Sequence, residues 1–308
     1  MKTIKILSFF IAGLFLVQAC KTEKTALELN LKEGKTYTMK TTVKQNMTQT
    51  IQGNTQEIQT DITAVIDYEV TGRNGDTMSI DLTYSKMNLS MQSPFINMSI
   101  NSDQPQEGNV MYDIISKLIG KKISMKVLSN GEVVYMSDFG EIMDDILDQM
   151  PVPEGYNKDQ MKQQFNRSFG EGSIAGNFKL MFDYLPEKPV KVGGSWETTT
   201  ETDFMINGLY ESEWKLTEIK DQMAVIEGET DITAERTAVE TGMQQFPVEM
   251  EMTGTQNTLL NVDKSTGWIE SGEANIKMNM TLFTSNPQMG EMEIPMSIDM
   301  SVHYSTTE

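Results

Sequence analysis

The chain has 308 residues, with 44 acidic against 25 basic side chains and a formal net charge of −19. That balance excludes the basic stripe that nucleic acid needs and argues against electrostatic adhesion to anionic lipid. One cysteine, Cys20, and one histidine, His303, exclude a disulfide framework and the usual zinc sites, while methionine is abundant at 25 residues.

Residues 1–19 read as a secretory signal. Lys2 and Lys5 open it, and Ile6 to Val17 follow without charge. This apolar run of about 12 residues is short of the roughly 20 needed to cross a hydrocarbon core. The run ends Leu16-Val17-Gln18-Ala19-Cys20, which resembles the lipobox of bacterial lipoproteins; Gln18 departs mildly from that motif. The resemblance implies that Cys20 is acylated and becomes the new N-terminus, anchored by lipid. The alternative is a signal anchor with a chance cysteine. In enterobacterial lipoproteins an Asp after the cysteine marks inner-membrane retention. Lys21 stands there instead, which favours the outer membrane. Residues 20–26 are then a polar, lipidated tether.

The remaining residues make one large or two modest domains. Residues 27–136 read as a first β unit. In "DITAVIDYEV", Ile62, Ala64, Ile66, Tyr68 and Val70 share a face; in "TMSIDLTY", Met78, Ile80, Leu82 and Tyr84 do. Parity then flips to Met87, Leu89 and Met91, which predicts a bulge near Ser85–Lys86. Asn74-Gly75 and Asn130-Gly131 supply tight hairpin turns.

Residues 137–186 read as a helical insert, preceded by a short helical period over 110–120. In "SDFGEIMDDILDQM", Ile142, Met143, Ile146, Leu147 and Met150 form an apolar face opposite Glu141, Asp144, Asp145 and Asp148, and Pro151 and Pro153 stop the helix. The acidic face is a divalent-cation patch or, on the plainer reading, a solvated helix surface. A further helix is expected over 157–169. The stretch 177–186 fits helix or strand.

Residues 187–308 read as a second β unit. Val248, Met250 and Met252 share a face, as do Ile276, Met278, Met280 and Leu282, and as do Ile294, Met296, Ile298, Met300, Val302 and Tyr304. "DKSTG", 263–267, is a turn. His303 falls on the polar side with Ser297, Asp299 and Ser301. Strands with one polar and one apolar side belong to antiparallel sheets with one solvated face.

The halves align in order. "ELNLKEGKTY" (28–37) lies over "EKPVKVGGSW" (187–196), placing Tyr37 with Trp196; Tyr68 falls with Trp214; "ISMKVLSNGEVV" resembles "TLLNVDKSTGWI". This reads as a duplicated β unit; the plainer alternative is chance similarity between amphipathic strands with Gly-x-x-aromatic turns.

No nucleophile elbow, phosphate loop or EF-hand pattern is present, so no enzyme activity, cofactor or metal is expected; the abundant Asp and Glu leave a Ser–Lys or paired-carboxylate site as the open alternative, with no pair standing out. Met250-x-Met252 and Met278-x-Met280 resemble thioether pairs that bind Cu(I), but both sit among Ile, Val and Leu. The methionines therefore read either as ordinary core or as an adaptable apolar lining.

With "LNLKEGKTY" after the tether and "YLPEKPVKVGGSW" opening the second half, the chain resembles a family of uncharacterised bacterial lipoproteins of about 300 residues. That resemblance brings no catalytic residues. More distantly, it looks like the half-barrels of lipoprotein and lipid carriers of the LolA and LppX type. The expected fold is mainly β: a curved, half-barrel-like antiparallel sheet in two related units with a central helical insert. The expected function is a non-catalytic cell-envelope lipoprotein, anchored through Cys20, holding a lipid or acyl chain in a cleft. Met78, Met87, Met91, Met250, Met252, Met278, Met280, Met296 and Met300 are the candidate lining. The alternative is a scaffold lipoprotein with a filled core, acting through an envelope protein partner.

Overall fold

The computed structural model describes residues 24–137, 139–148, 170–202, 208–239, 248–286 and 290–307. The lipobox with Cys20 and the helix expected over 157–169 lie outside the described residues. The strands are β1 (Thr36–Ile51), β2 (Asn54–Asn74), β3 (Thr77–Gln92), β4 (Asn97–Asn101), β5 (Lys122–Leu128), β6 (Val133–Met136), β7 (Ser195–Thr202), β8 (Gly208–Lys220), β9 (Met223–Val239), β10 (Val248–Asp263), β11 (Trp268–Asn286) and β12 (Gly290–Thr307). The helices are α1 (Val110–Leu118), α2 (Phe139–Asp148) and α3 (Glu171–Met181).

All strands join one open antiparallel sheet of 12 strands, in the order β6-β5-β3-β2-β1-β12-β11-β10-β9-β8-β7, with β4 beside the far part of β3. The fold is mainly β, as the alternation implies. The parity flip in β3 is a bulge: Tyr84 pairs Ile66 and Lys86 pairs Val65, leaving Ser85 unpaired. The stretch 177–186 resolves as helix up to Met181, then a turn.

The sheet is strongly curled. Eleven strands laid flat at about 4.8 Å spacing put the outermost pair roughly 48 Å apart. Yet α3, about 10–12 Å across, lies against both β6 and β7, the two ends of that order. The core agrees: Met136 of β6 and Trp214 of β8 belong to one cluster with Phe178 and Phe182 of the α3 region.

That cluster fills one end of the curled sheet. At its centre Trp268 is fully buried, with Tyr37 and Tyr68 ring centroids 5.3 Å away and Phe182 at 5.7 Å. The indole N–H groups all find acceptors: Trp268 on Thr306, Trp214 on Thr198 and Trp196 on the Tyr184 carbonyl, as buried tryptophans require. The segment before β1 completes the plug. Leu27, Leu29 and Leu31 are at most 2% exposed, and the Leu29 and Asn30 N–H groups donate to the Ser129 and Thr266 carbonyls. The tether expected over 20–26 thus leads directly into three buried leucines, which alternate with exposed Glu28 and half-buried Asn30.

α1 is capped by Asn109, whose side chain accepts from the Met111 and Tyr112 N–H groups. Ile115 of α1 covers Met87 and Ile100 on β3 and β4.

Candidate functional site

Beyond the aromatic plug the inner face of the sheet continues as a floor. Following the ladders outward from the plug, one row of directly opposed residues runs Trp214, Gly228, Thr258, Ala274, Val302, Val43, Ile62, Leu89. Further out the rows are Ile232, Gly254, Met278, Ile298, Met47, Ile58 and then Ala234, Met252, Met280, Met296, Gln49, Gln56. No Lys, Arg, Asp or Glu occupies an inward position in these three rows. The charges sit on the outer side, with Lys277 opposite Asp299 and Lys44 opposite Asp61 as examples.

Every methionine of the described strands except Met223 falls on the inner face by its register. The two Met-x-Met pairs meet there, with Met252 directly opposite Met280. Their neighbours are Ile232, Ala234, Ile276, Leu282 and Tyr210. Among the described residues no three His, Cys, Asp or Glu converge on a possible metal position. The face offers polarizable, unbranched side chains that refit to varied apolar shapes.

The nine candidate methionines divide into distinct surroundings. Met78 does not line the open floor. It is fully buried in the aromatic plug, opposite Val127, because β5 and the plug cover that end of β3. Met87 is buried under α1. Met250, Met252 and Met296 are buried within the floor, while Met91, Met278, Met280 and Met300 remain half-buried. Val43, Met47, Ile58, Ile62 and Ile276, absent from the sequence-based candidates, are half-buried beside them. The alternation that marked the others contains Ile62 and Ile276, so the signal was available. Val43 and Met47 lie in a Thr- and Gln-rich strand, where the pattern is weak.

A polar seam borders the floor on the β7–β8 side. The Thr200 hydroxyl donates to Asp183 Oδ1 at 2.6 Å, and Thr198 and Ser212 donate to Oδ2 at 2.6 and 3.1 Å. Ser212 and Thr230 share a further bond at 2.9 Å. The carboxylate thereby fastens the turn after α3 to the end of the sheet. Burial pushes the Tyr210 phenol beside this seam upward in pKa.

A model of a family of unknown function, DUF6263, matches residues 75–269, from the β2–β3 turn to the start of β11. The chain belongs to the DUF6263 family. No curated protein matches the sequence significantly. Among solved structures the fold is similar to lipovitellin, with a TM-score of 0.51 and 12% identity, over 90% of this chain and 25% of that one. The chain thus spans about a quarter of that protein's length. Salmonella typhi OmpF overlaps 90% of this chain and 99% of its own at 7% identity, but its TM-score of 0.25 is too low to bear on the fold. Among the described residues no helix is long and apolar enough to cross a membrane.

Proposed function

We propose that this protein is a lipid-anchored cell-envelope carrier that holds an apolar ligand, an acyl chain or lipid, against its methionine floor. One observation carries the reading: an uncharged inner face whose outer rows interleave buried residues such as Met252 and Met296 with half-buried ones such as Met47, Ile58, Met278 and Met280, beside an end of the same face packed to full burial. Ordinary core would be equally filled at both ends. An apolar surface of this kind, rimmed by polar groups, is the usual character of a binding groove. The lipovitellin structure, whose title concerns lipid–protein interactions, supports the same direction by fold alone.

The anchor is Cys20, lipidated on its thiol and made the new N-terminus by removal of residues 1–19, and Lys21 favours delivery to the outer membrane. Replacing Cys20 with Ala moves the protein out of the membrane fraction if this is right; unchanged membrane association removes the anchor.

The carrier reading is tested on the chain from Lys21 onward. Native mass spectrometry followed by solvent extraction is expected to find lipid at about one per chain. A clean apo mass, persisting after incubation with envelope lipids, replaces the carrier with a scaffold that acts through a protein partner.

A further inference from the structure

The far end of the floor carries a feature that ligand binding does not use. β3 turns into β4 through Ser93-Pro94-Phe95-Ile96, and Phe95 is 79% exposed and Ile96 49%. Phe95 is the most exposed large apolar side chain among the described residues. We propose that this tip inserts into an uncharged lipid surface, docking the open end of the floor on a membrane. The inference deepens the carrier reading, since it names the surface from which the ligand is taken or to which it is given.

Three observations point to lipid rather than water or protein. The first is the backbone of the tip. The Ser93 N–H donates to the Ile96 carbonyl at 2.7 Å. The Ser93 hydroxyl oxygen accepts the Phe95 N–H at 3.3 Å and the Ile96 N–H at 3.0 Å. Pro94 has no N–H. Every backbone N–H of the turn is therefore satisfied within it, which lowers the cost of taking it out of water.

The second is charge. The chain carries −19 overall, yet no charged residue lies between Lys86 and Asp103 along this hairpin. None lies between Lys44 and Glu57 along the neighbouring β1–β2 hairpin. A charged group at the interface is costly to bury, and an anionic one is repelled by anionic lipid. Two adjacent hairpins free of charge give this side of the open end a character suited to a neutral surface. The β9–β10 side, by contrast, carries Glu235, Arg236, Glu249 and Glu251.

The third is continuity. Directly behind the tip Met91 lies opposite Met98, and two residues further along β3 Leu89 lies between Ile100 of β4 and Ile62 of the floor. The apolar side chains thus run from the tip to the floor.

The test uses the full chain with phosphatidylcholine vesicles containing doxyl-labelled lipid. Phe95→Trp places an indole at the tip, and Val134→Trp, at a site 50% exposed on β6, places one at the filled end. Both variants carry Trp196→Phe, because Trp196 is half-buried; the remaining Trp268 and Trp214 are buried at 0% and 3% exposure and serve as an unquenched background. The position-95 indole is expected to shift to the blue and be quenched by shallow doxyl groups, undiminished by salt, while the position-134 indole is unaffected. Adding Ile96→Asp is expected to weaken the quenched association roughly ten-fold or more, the scale of one buried large apolar side chain. Equal quenching at both positions, which the N-terminal anchor alone would give, overturns the proposal. So does no quenching at 95, the outcome if the tip meets a protein. Co-purified lipid with an unquenched tip keeps the carrier and removes the docking; a quenched tip with no co-purified lipid does the reverse.

Discussion

A Cβ placed on Gly131 would lie 2.6 Å from the Cβ of Phe182. Gly131 turns β5 into β6 at one end of the sheet with φ +82°. The residue after Phe182 is Asp183, which receives hydroxyl bonds from β7 and β8 at the other end. Two consecutive residues therefore clasp both ends of an open sheet.

Gly131→Ala is expected to loosen that clasp. A left-handed backbone costs a non-glycine residue about 1–2 kcal/mol, and overpacking adds about 1–3 kcal/mol. Asp183→Ala removes the acceptor of three hydroxyls, of which Ser212 keeps its bond with Thr230, and costs about 1–3 kcal/mol. Urea unfolding of both single variants and the double variant checks this. Losses smaller than additive are expected, because both changes release one segment.

Gly228 and Gly176 give opposite signs. A Cβ on Gly228 would meet the Trp214 ring at 2.2 Å, whereas Gly176, inside α3, has nothing within 4 Å. Gly228→Ala is expected to lower the thermal midpoint and alter tryptophan emission. Gly176→Ala is expected to stabilise by about 0.5–1 kcal/mol through helix propensity. A midpoint raised by the first or lowered by the second contradicts the packing described.

The methionines separate stability from binding. Met78→Ala, in the filled end, is expected to cost about 2–5 kcal/mol with bound lipid per folded chain unchanged. Met278→Gln with Met280→Gln, on the half-buried floor, is expected to cost less and to reduce bound lipid. Denaturation curves beside lipid extraction distinguish the two; equal lipid loss from both sites argues against the floor as the site.

Burial raises the phenols of Tyr84 and Tyr304 to about 12, with Tyr68 and Tyr184 also pushed upward. A raised folded value makes the neutral form the one that folding favours. This contribution is intact below about 10, the unfolded value, and is lost as pH rises through about 12. Circular dichroism and phenolate absorbance near 295 nm are expected to change together over that window. Full ionisation of these phenols with the fold intact contradicts their burial.

Much of the fold was legible because a two-residue period is a strong signal in strands with one wet face. It placed Ile62, Met78, Met250 and Met278 on the inner side and located the Ser85 bulge. The aligned aromatics Tyr37 and Trp196 do stand at matching places: Tyr37 opposite Tyr68, Trp196 opposite Trp214. The Gly34 N–H reaches the Val70 carbonyl, and the Gly193 N–H the Leu216 carbonyl. Depth was not legible. Met78 and Met280 share one alternating pattern, yet only what packs above them, the plug over Met78, separates core from floor. That covering comes from distant segments with no local period, such as Leu27 to Leu31. Asp183 was equally hidden, since its partners come from two strands and only their curvature brings them to it.

The Leu29 and Asn30 N–H groups end on carbonyls about 100 and 236 residues further along, at Ser129 and Thr266, and β1 finds one of its neighbours only in β12. A chain emerging from its N-terminus therefore leaves Asn30 without its native partner until Thr266 exists, and β1 without its second neighbour until β12 does. Such distant pairings slow folding and prolong exposure of unpaired strands. The ordering of the start thus waits on synthesis of the end. A chain stopped before Gly290 would lack the partner of both β1 and β11, and so be presented to quality control as two loose sheet edges.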